Sequence, residues 1–267
     1  MAVNIFVRNI FLLLCTAVFL ACAPAQQVQK FNTGIIASFD NTEGLFFDAA
    51  SKGDIILAMR LVEEKIVDVN VRDRYGWTSW MYAARGGHDG LIEYFLTKKI
   101  DINAREEKGQ TALIIAASVG QAKVVKYLLE MGADAAIQDL YGYTALHWSV
   151  YGNYWDCLVL LAAAGKVIDI QNYEGETALH LAAGLNYYDT LSLLLARGAN
   201  PNIKDKQGNT PLMLAASRGD KAAVELLVVK GTNMFIKNHQ GKTALGAARD
   251  NNHREVVVYL QKRMGKK

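Results

Sequence analysis

The chain has 267 residues, 51% hydrophobic and 21% charged, with a formal net charge of +3. That is enough apolar material for a large core, and too small a charge to argue for nucleic acid or an anionic lipid surface as the partner. Of the 3 cysteines, Cys15, Cys22 and Cys157, only the last falls in the part that reads as folded, so no disulfide can close within it.

Residues 1–21 read as a signal peptide. Arg8 precedes an apolar run, Ile10–Ala21, of 12 residues; this length suits a signal h-region and is short for a membrane span. Two exits follow. Phe19-Leu-Ala-Cys22 resembles a bacterial lipoprotein lipobox, in which Cys22 is acylated and becomes the first mature residue. Ala23-Pro-Ala25 resembles a cleavage site before Gln26. A third reading keeps the segment uncleaved as an anchor. Residues 22–42 carry Pro24, Gln26, Gln27 and Gln29 with no repeat pattern, and are expected to be a flexible tether. The expected location is therefore exported: the periplasm, or the outer membrane as a lipoprotein held by the lipid on Cys22.

From residue 43 to residue 267 one pattern dominates. Thr78, Thr111, Thr144, Thr177, Thr210 and Thr243 recur every 33 residues, each two places after a glycine. The expected repeats are about 43–74, 75–108, 109–141, 142–174, 175–207, 208–240 and 241–267. Within each, Gly-x-Thr reads as a tight turn and a helix N-cap. Ala-Leu-x-x-Ala-Ala reads as a short helix whose alanines allow close approach, and a second amphipathic helix follows. The first repeat lacks the Gly-x-Thr turn and carries one extra residue around Glu63–Val67. The last has a polar Asp250–Arg254 stretch and a basic end, as capping repeats with a wet outer face should. The fourth departs most, with Ser149-Val150 in place of Ala-Ala. Its Trp148 is expected to pack between repeats, and Tyr154 and Trp155 to pack at the start of the second helix.

The motif Gly175-Glu-Thr-Ala-Leu-His-Leu-Ala-Ala183, repeated as Gly109–Ala117 and Gly208-Asn-Thr-Pro-Leu-Met-Leu-Ala-Ala216, resembles the ankyrin repeat family. The resemblance implies an all-α solenoid of helix-turn-helix units with hairpin fingers and a concave groove, a binding role and no cofactor. A monomer is expected.

The residues offer no catalytic constellation. His147 and His180 sit at the family's T-x-L-H position, where the ring bonds neighbouring loop backbone; His88 and His253 open second helices. No His or Cys has metal-ligand spacing, and no Gly-rich phosphate loop follows a strand. Asp73, Glu106, Asp139 and Asp205 recur with the period and read as acceptors for finger N–H groups. Cys157 reads as a small buried apolar residue.

By the resemblance, ligand contacts lie at the finger tips and the ends of the first helices. Those positions carry Arg74, Tyr75, Trp77 and Arg85 around Thr78, Tyr141, Tyr143 and Tyr151 around Thr144, and Tyr173 ahead of Thr177. Aromatics and Arg dominate binding hot spots, so these eight form the expected protein-binding patch; the alternative is that the rings stack on one another. The expectation is a non-catalytic scaffold holding one or more envelope proteins, for example to inhibit or protect against a periplasmic enzyme or toxin. The competing readings are an envelope spacer or assembly factor, and a peptidoglycan or carbohydrate binder through the groove aromatics.

Overall fold

The computed structural model describes residues 41–165 and 167–265. The chain divides between Leu45 and Phe46; the first part is described only as Asn41–Leu45. The expected signal peptide, Cys22 and all of the expected tether but Asn41 and Thr42 lie outside the described residues. Helix α1 starts at Thr42, inside that expected tether, because Asn41 Oδ1 accepts the Gly44 N–H at 2.7 Å.

Fourteen α-helices are described, in pairs: α1 (Thr42–Lys52) and α2 (Ile55–Glu63); α3 (Ser79–Gly86) and α4 (Asp89–Leu96); α5 (Ala112–Ser118) and α6 (Ala122–Glu130); α7 (Ala145–Tyr151) and α8 (Trp155–Ala163); α9 (Ala178–Leu185) and α10 (Tyr188–Ala196); α11 (Pro211–Arg218) and α12 (Lys221–Val229); α13 (Ala244–Asp250) and α14 (Arg254–Met264). The described residues hold no strand beyond one isolated bridge, Arg72 to Thr78. Inner helices α3, α5, α7, α9, α11 and α13 each pack on the next, and the even-numbered helices α2 to α14 pack in sequence as an outer row. Alanine pairs such as Ala116–Ala117 and Ala182–Ala183 are fully buried where inner helices meet. A larger side chain there would push the repeats apart.

The threonines are the N-caps of α3, α5, α7, α9, α11 and α13, all with extended backbone. Their hydroxyls differ. Thr111 and Thr243 accept the N–H three residues on, at 3.3 and 3.4 Å. Thr144 and Thr177 form capping boxes with His147 and His180. Thr78 and Thr210 make no side-chain cap. In the second repeat Met81 stands where those histidines do, and the buried hydroxyls of Thr78 and Ser79 have no hydrogen-bond partner. The inter-helix turn takes a left-handed residue at one fixed place: Gly53, Gly87, Gly120 and Gly219, but Asn153, Asn186 and Asn252 in the other three repeats. Asn tolerates that backbone almost alone among non-glycines.

The extra residue of the first repeat is absorbed after α2. Lys65 adopts φ 57°, and the N–H groups of both Ile66 and Val67 point at the Leu61 carbonyl (3.0 and 3.2 Å). The third, fifth and sixth repeats place one N–H there: Ala133 on Leu128, Ala199 on Leu194 and Thr232 on Leu227. Cys157 is fully buried and unpaired, and burial pushes its thiol up to about 11, so it stays a neutral thiol.

Candidate binding surface

Each finger is built around a carboxylate or amide five residues before the threonine. Asp73 Oδ1 accepts the N–H groups of Tyr75 and Trp77, both at 2.8 Å. Asp139, Asn172, Asp205 and Asn238 repeat this, and Glu106 accepts from Gln110 at 3.0 Å. Adjacent fingers are tied by backbone: Glu107 N–H to Tyr75 C=O, Leu140 to Lys108, Tyr173 to Tyr141, Lys206 to Glu174 and His239 to Gln207, at 2.8–3.1 Å.

A second set of ties went unread in the sequence. Six residues before each of the first five threonines stands a long donor that reaches a carbonyl of the next finger: Arg72 to Arg105 (2.8 Å), Arg105 to Gln138 (2.7 Å), Gln138 to Gln171 (2.8 Å), Gln171 to Lys204 and Lys204 to Lys237 (both 2.9 Å). The signal was present, because these five are all extended polar donors at 33-residue intervals.

The histidines complete the frame. The Nδ1 atoms of His147 and His180 accept the N–H of Thr144 and Thr177 at 3.2 and 3.1 Å, so the proton resides on Nε2, which donates to the Glu176 and Asn209 carbonyls of the following repeat. Burial lowers the pKa of both rings, His147 to about 4. They are structural, neutral ties.

This finger-tied array of helix pairs matches the family profile for ankyrin repeats (3 copies) over residues 45–139, 131–205 and 187–267. The chain belongs to the ankyrin-repeat family. The ankyrin repeat domain of Bcl-3, described as a unique member of the IκB protein family, aligns with a TM-score of 0.74 at 26% identity over 81% of this chain and 97% of its own. The human ASB11 ankyrin repeat domain aligns at 0.70 and 27% identity, over 80% and 96%. Among curated proteins no match is found. Ankyrin repeats are protein–protein interaction scaffolds.

On this ankyrin array the eight expected patch residues separate into two kinds. Tyr75, Tyr141, Tyr151 and Tyr173 are 50%, 64%, 60% and 56% exposed. They are joined by Leu140 on the fourth finger, 58% exposed. Arg74 and Arg85 are exposed as well. Trp77 and Tyr143 are not free surface: both are half-buried. Trp77 stacks on Tyr82 (5.0 Å between centroids) and Tyr143 on Trp148 (5.4 Å). The stacking is within a repeat, because a finger residue one place before the threonine folds back over the residue four places after it.

Tyr82 and Trp148 therefore latch finger to inner helix. The Tyr82 hydroxyl donates to Asp73 Oδ2 at 2.7 Å, and the Trp148 indole N–H to Asp139 Oδ2 at 2.9 Å. Burial and then the Asp73 bond push the Tyr82 hydroxyl up to about 12. Trp148 packs against Tyr143 and, edge-on, Tyr151 of its own repeat. Tyr154 is half-buried, lying over Gly120 and Gly152. Trp155 is 46% exposed on the outer row, contrary to the packing role expected of it. The sequence clue to the latches was the coincidence, around Thr78 and Thr144 alone, of a finger aspartate with a hydrogen-bonding aromatic nine residues later.

Among the described residues no group of three His, Cys, Asp or Glu is placed to hold a metal ion, and no helix is long and apolar enough to cross a membrane.

Proposed function

We propose that this chain is an exported, lipid-anchored ankyrin scaffold that holds an envelope protein on its finger face. The observation that carries the binding role is the set of exposed tyrosines: Tyr75, Tyr141 and Tyr173 on fingers made rigid by backbone ties and by the Tyr82 and Trp148 latches, and Tyr151 at the end of α7. Large exposed aromatics on a rigid support lose little entropy on binding and supply most of the affinity of protein interfaces. Export and anchoring rest on the residues before the array: Arg8, the apolar Ile10–Ala21 and the lipobox-like Phe19–Cys22. Inhibition of, or protection against, an envelope enzyme is one use of such a platform. Carbohydrate stacking is the second reading, favoured only by the exposed tyrosine faces.

Two measurements test this. In cells fed a labelled fatty acid, the protein should take up label and fractionate with membranes, and Cys22→Ser should lose both. Labelling that survives Cys22→Ser, or none in the wild type, rejects the anchor. In capture from envelope extract, Tyr141→Ala with Tyr173→Ala should weaken partner binding by at least about 2 kcal/mol at an unchanged melting temperature. Unchanged capture rejects the finger face, and retention on purified cell wall instead of on a protein favours the carbohydrate reading.

A further inference from the structure

The recess between the second and third fingers, about 380 Å³, is lined by Tyr75, Trp77, Tyr82 and Arg85 on one side and by Glu106, Glu107, Lys108 and Gln110 on the other. Two guanidinium groups lie over rings that line it: Arg74, itself outside the lining, has its Cζ 4.7 Å from the Tyr75 centroid, and Arg85, part of the lining, has its Cζ 6.0 Å from that of Trp77. Trp77 is itself fixed by its stack on Tyr82. A guanidinium stacked on a ring keeps its N–H fork at the edge, shaped for a bidentate oxyanion. Neither arginine forms an ion pair with any described carboxylate, although six lysines elsewhere do. The nearby acids are engaged in the finger: both Asp73 oxygens and Glu106 Oε1 accept hydrogen bonds.

We infer that this recess is a carboxylate-reading subsite, and that the protein held on the finger face presents an acidic segment with an apolar neighbour to Arg74 and Arg85. The inference rests on the finger face being the protein-binding face. The sign of the charge comes from the two unpaired arginines and Lys108. The single charge comes from the opposite wall. Glu106 and Glu107 there offset two of the three charges of Arg74, Arg85 and Lys108, and one carboxylate neutralises the positive charge left over. The apolar neighbour is called for by the exposed ring of Tyr75 at the mouth.

The test is to pan a phage-displayed random peptide library on the full chain and on an Arg74→Gln, Arg85→Gln double variant. Both side chains are exposed, and circular dichroism confirms that the variant is folded. Peptides enriched on the wild type should be richer in Asp and Glu than the starting library. A synthetic copy should bind the double variant about ten-fold or more weaker, as the loss of a charge-assisted pair requires. Arg85→Lys, which keeps the charge but not the fork, should fall between. Enriched peptides with no excess of acid, bound equally by the arginine variant but lost with Tyr141→Ala and Tyr173→Ala, overturn the subsite and leave the protein-binding reading standing. No enrichment on the wild type, or arginine-dependent binding to phosphatidylglycerol vesicles in its place, overturns both.

Discussion

At the scale of single residues, His147 shows how a motif position turns into stability. Its ring uses both nitrogens: Nδ1 accepts from Thr144 and Nε2 donates across to Glu176. A second proton on Nδ1 would face the Thr144 N–H. The folded ring therefore resists protonation down to about 4, whereas an unfolded histidine takes a proton near 6.5. The unfolded state binds more protons between these values, so stability is complete above about pH 6.5 and is lost as pH falls toward 4, on the order of 3 kcal/mol from this residue. His147→Gln should lower the urea midpoint at pH 7 and flatten its decline between pH 7 and pH 4.5; parallel declines in the two proteins would refute the assignment. This tie was readable in advance, since a T-x-L-H position places the ring over the next loop. The burial of Trp77 and Tyr143 was not. Spacing locates a Cα on a finger, but whether the ring turns outward or folds back depends on the residue five places later, Tyr82 or Trp148, which offers it a stacking face.

At the scale of elements, the fingers depend on closeness between main chains. Gly142 has φ +80°, and a Cβ there would lie 2.5 Å from the Tyr173 nitrogen, whose N–H bonds Tyr141 of the same finger as Gly142. Gly132, at the end of α6, has a similar φ of +86° with nothing within 4 Å of a Cβ. Gly132→Ala should cost only backbone strain, about 1–2 kcal/mol. Gly142→Ala should add the lost inter-finger bond and a shifted neighbour, reaching about 3 kcal/mol. Urea titration of the pair decides; equal losses would mean that finger contact adds nothing. The helix pairs, the turn residues and the aspartate acceptors of the fingers were all legible, because each rests on local geometry written within a few residues. The cross-finger donors Arg72, Arg105, Gln138, Gln171 and Lys204 were harder to see, since their acceptors lie 33 residues away and, being carbonyls, leave no mark on the sequence.

At the scale of the molecule from Phe46 onward, each inner helix packs on its immediate neighbours in the row. Such an array frays from its ends, since a terminal repeat has one neighbour and a central repeat two. In native-state hydrogen exchange, amides of α14 should therefore exchange at least about ten-fold faster than those of α7. Uniform protection would show that the repeats open only together. The cross-finger donors carry a further consequence. Each side chain reaches a main-chain carbonyl of its successor, an acceptor that every amino acid supplies. A repeat can thus be tied forward without regard to what the following one spells. Duplication or loss of a whole 33-residue module would leave this tie chemically intact, so the array's length is free to drift in evolution while the side chains at the finger tips change independently.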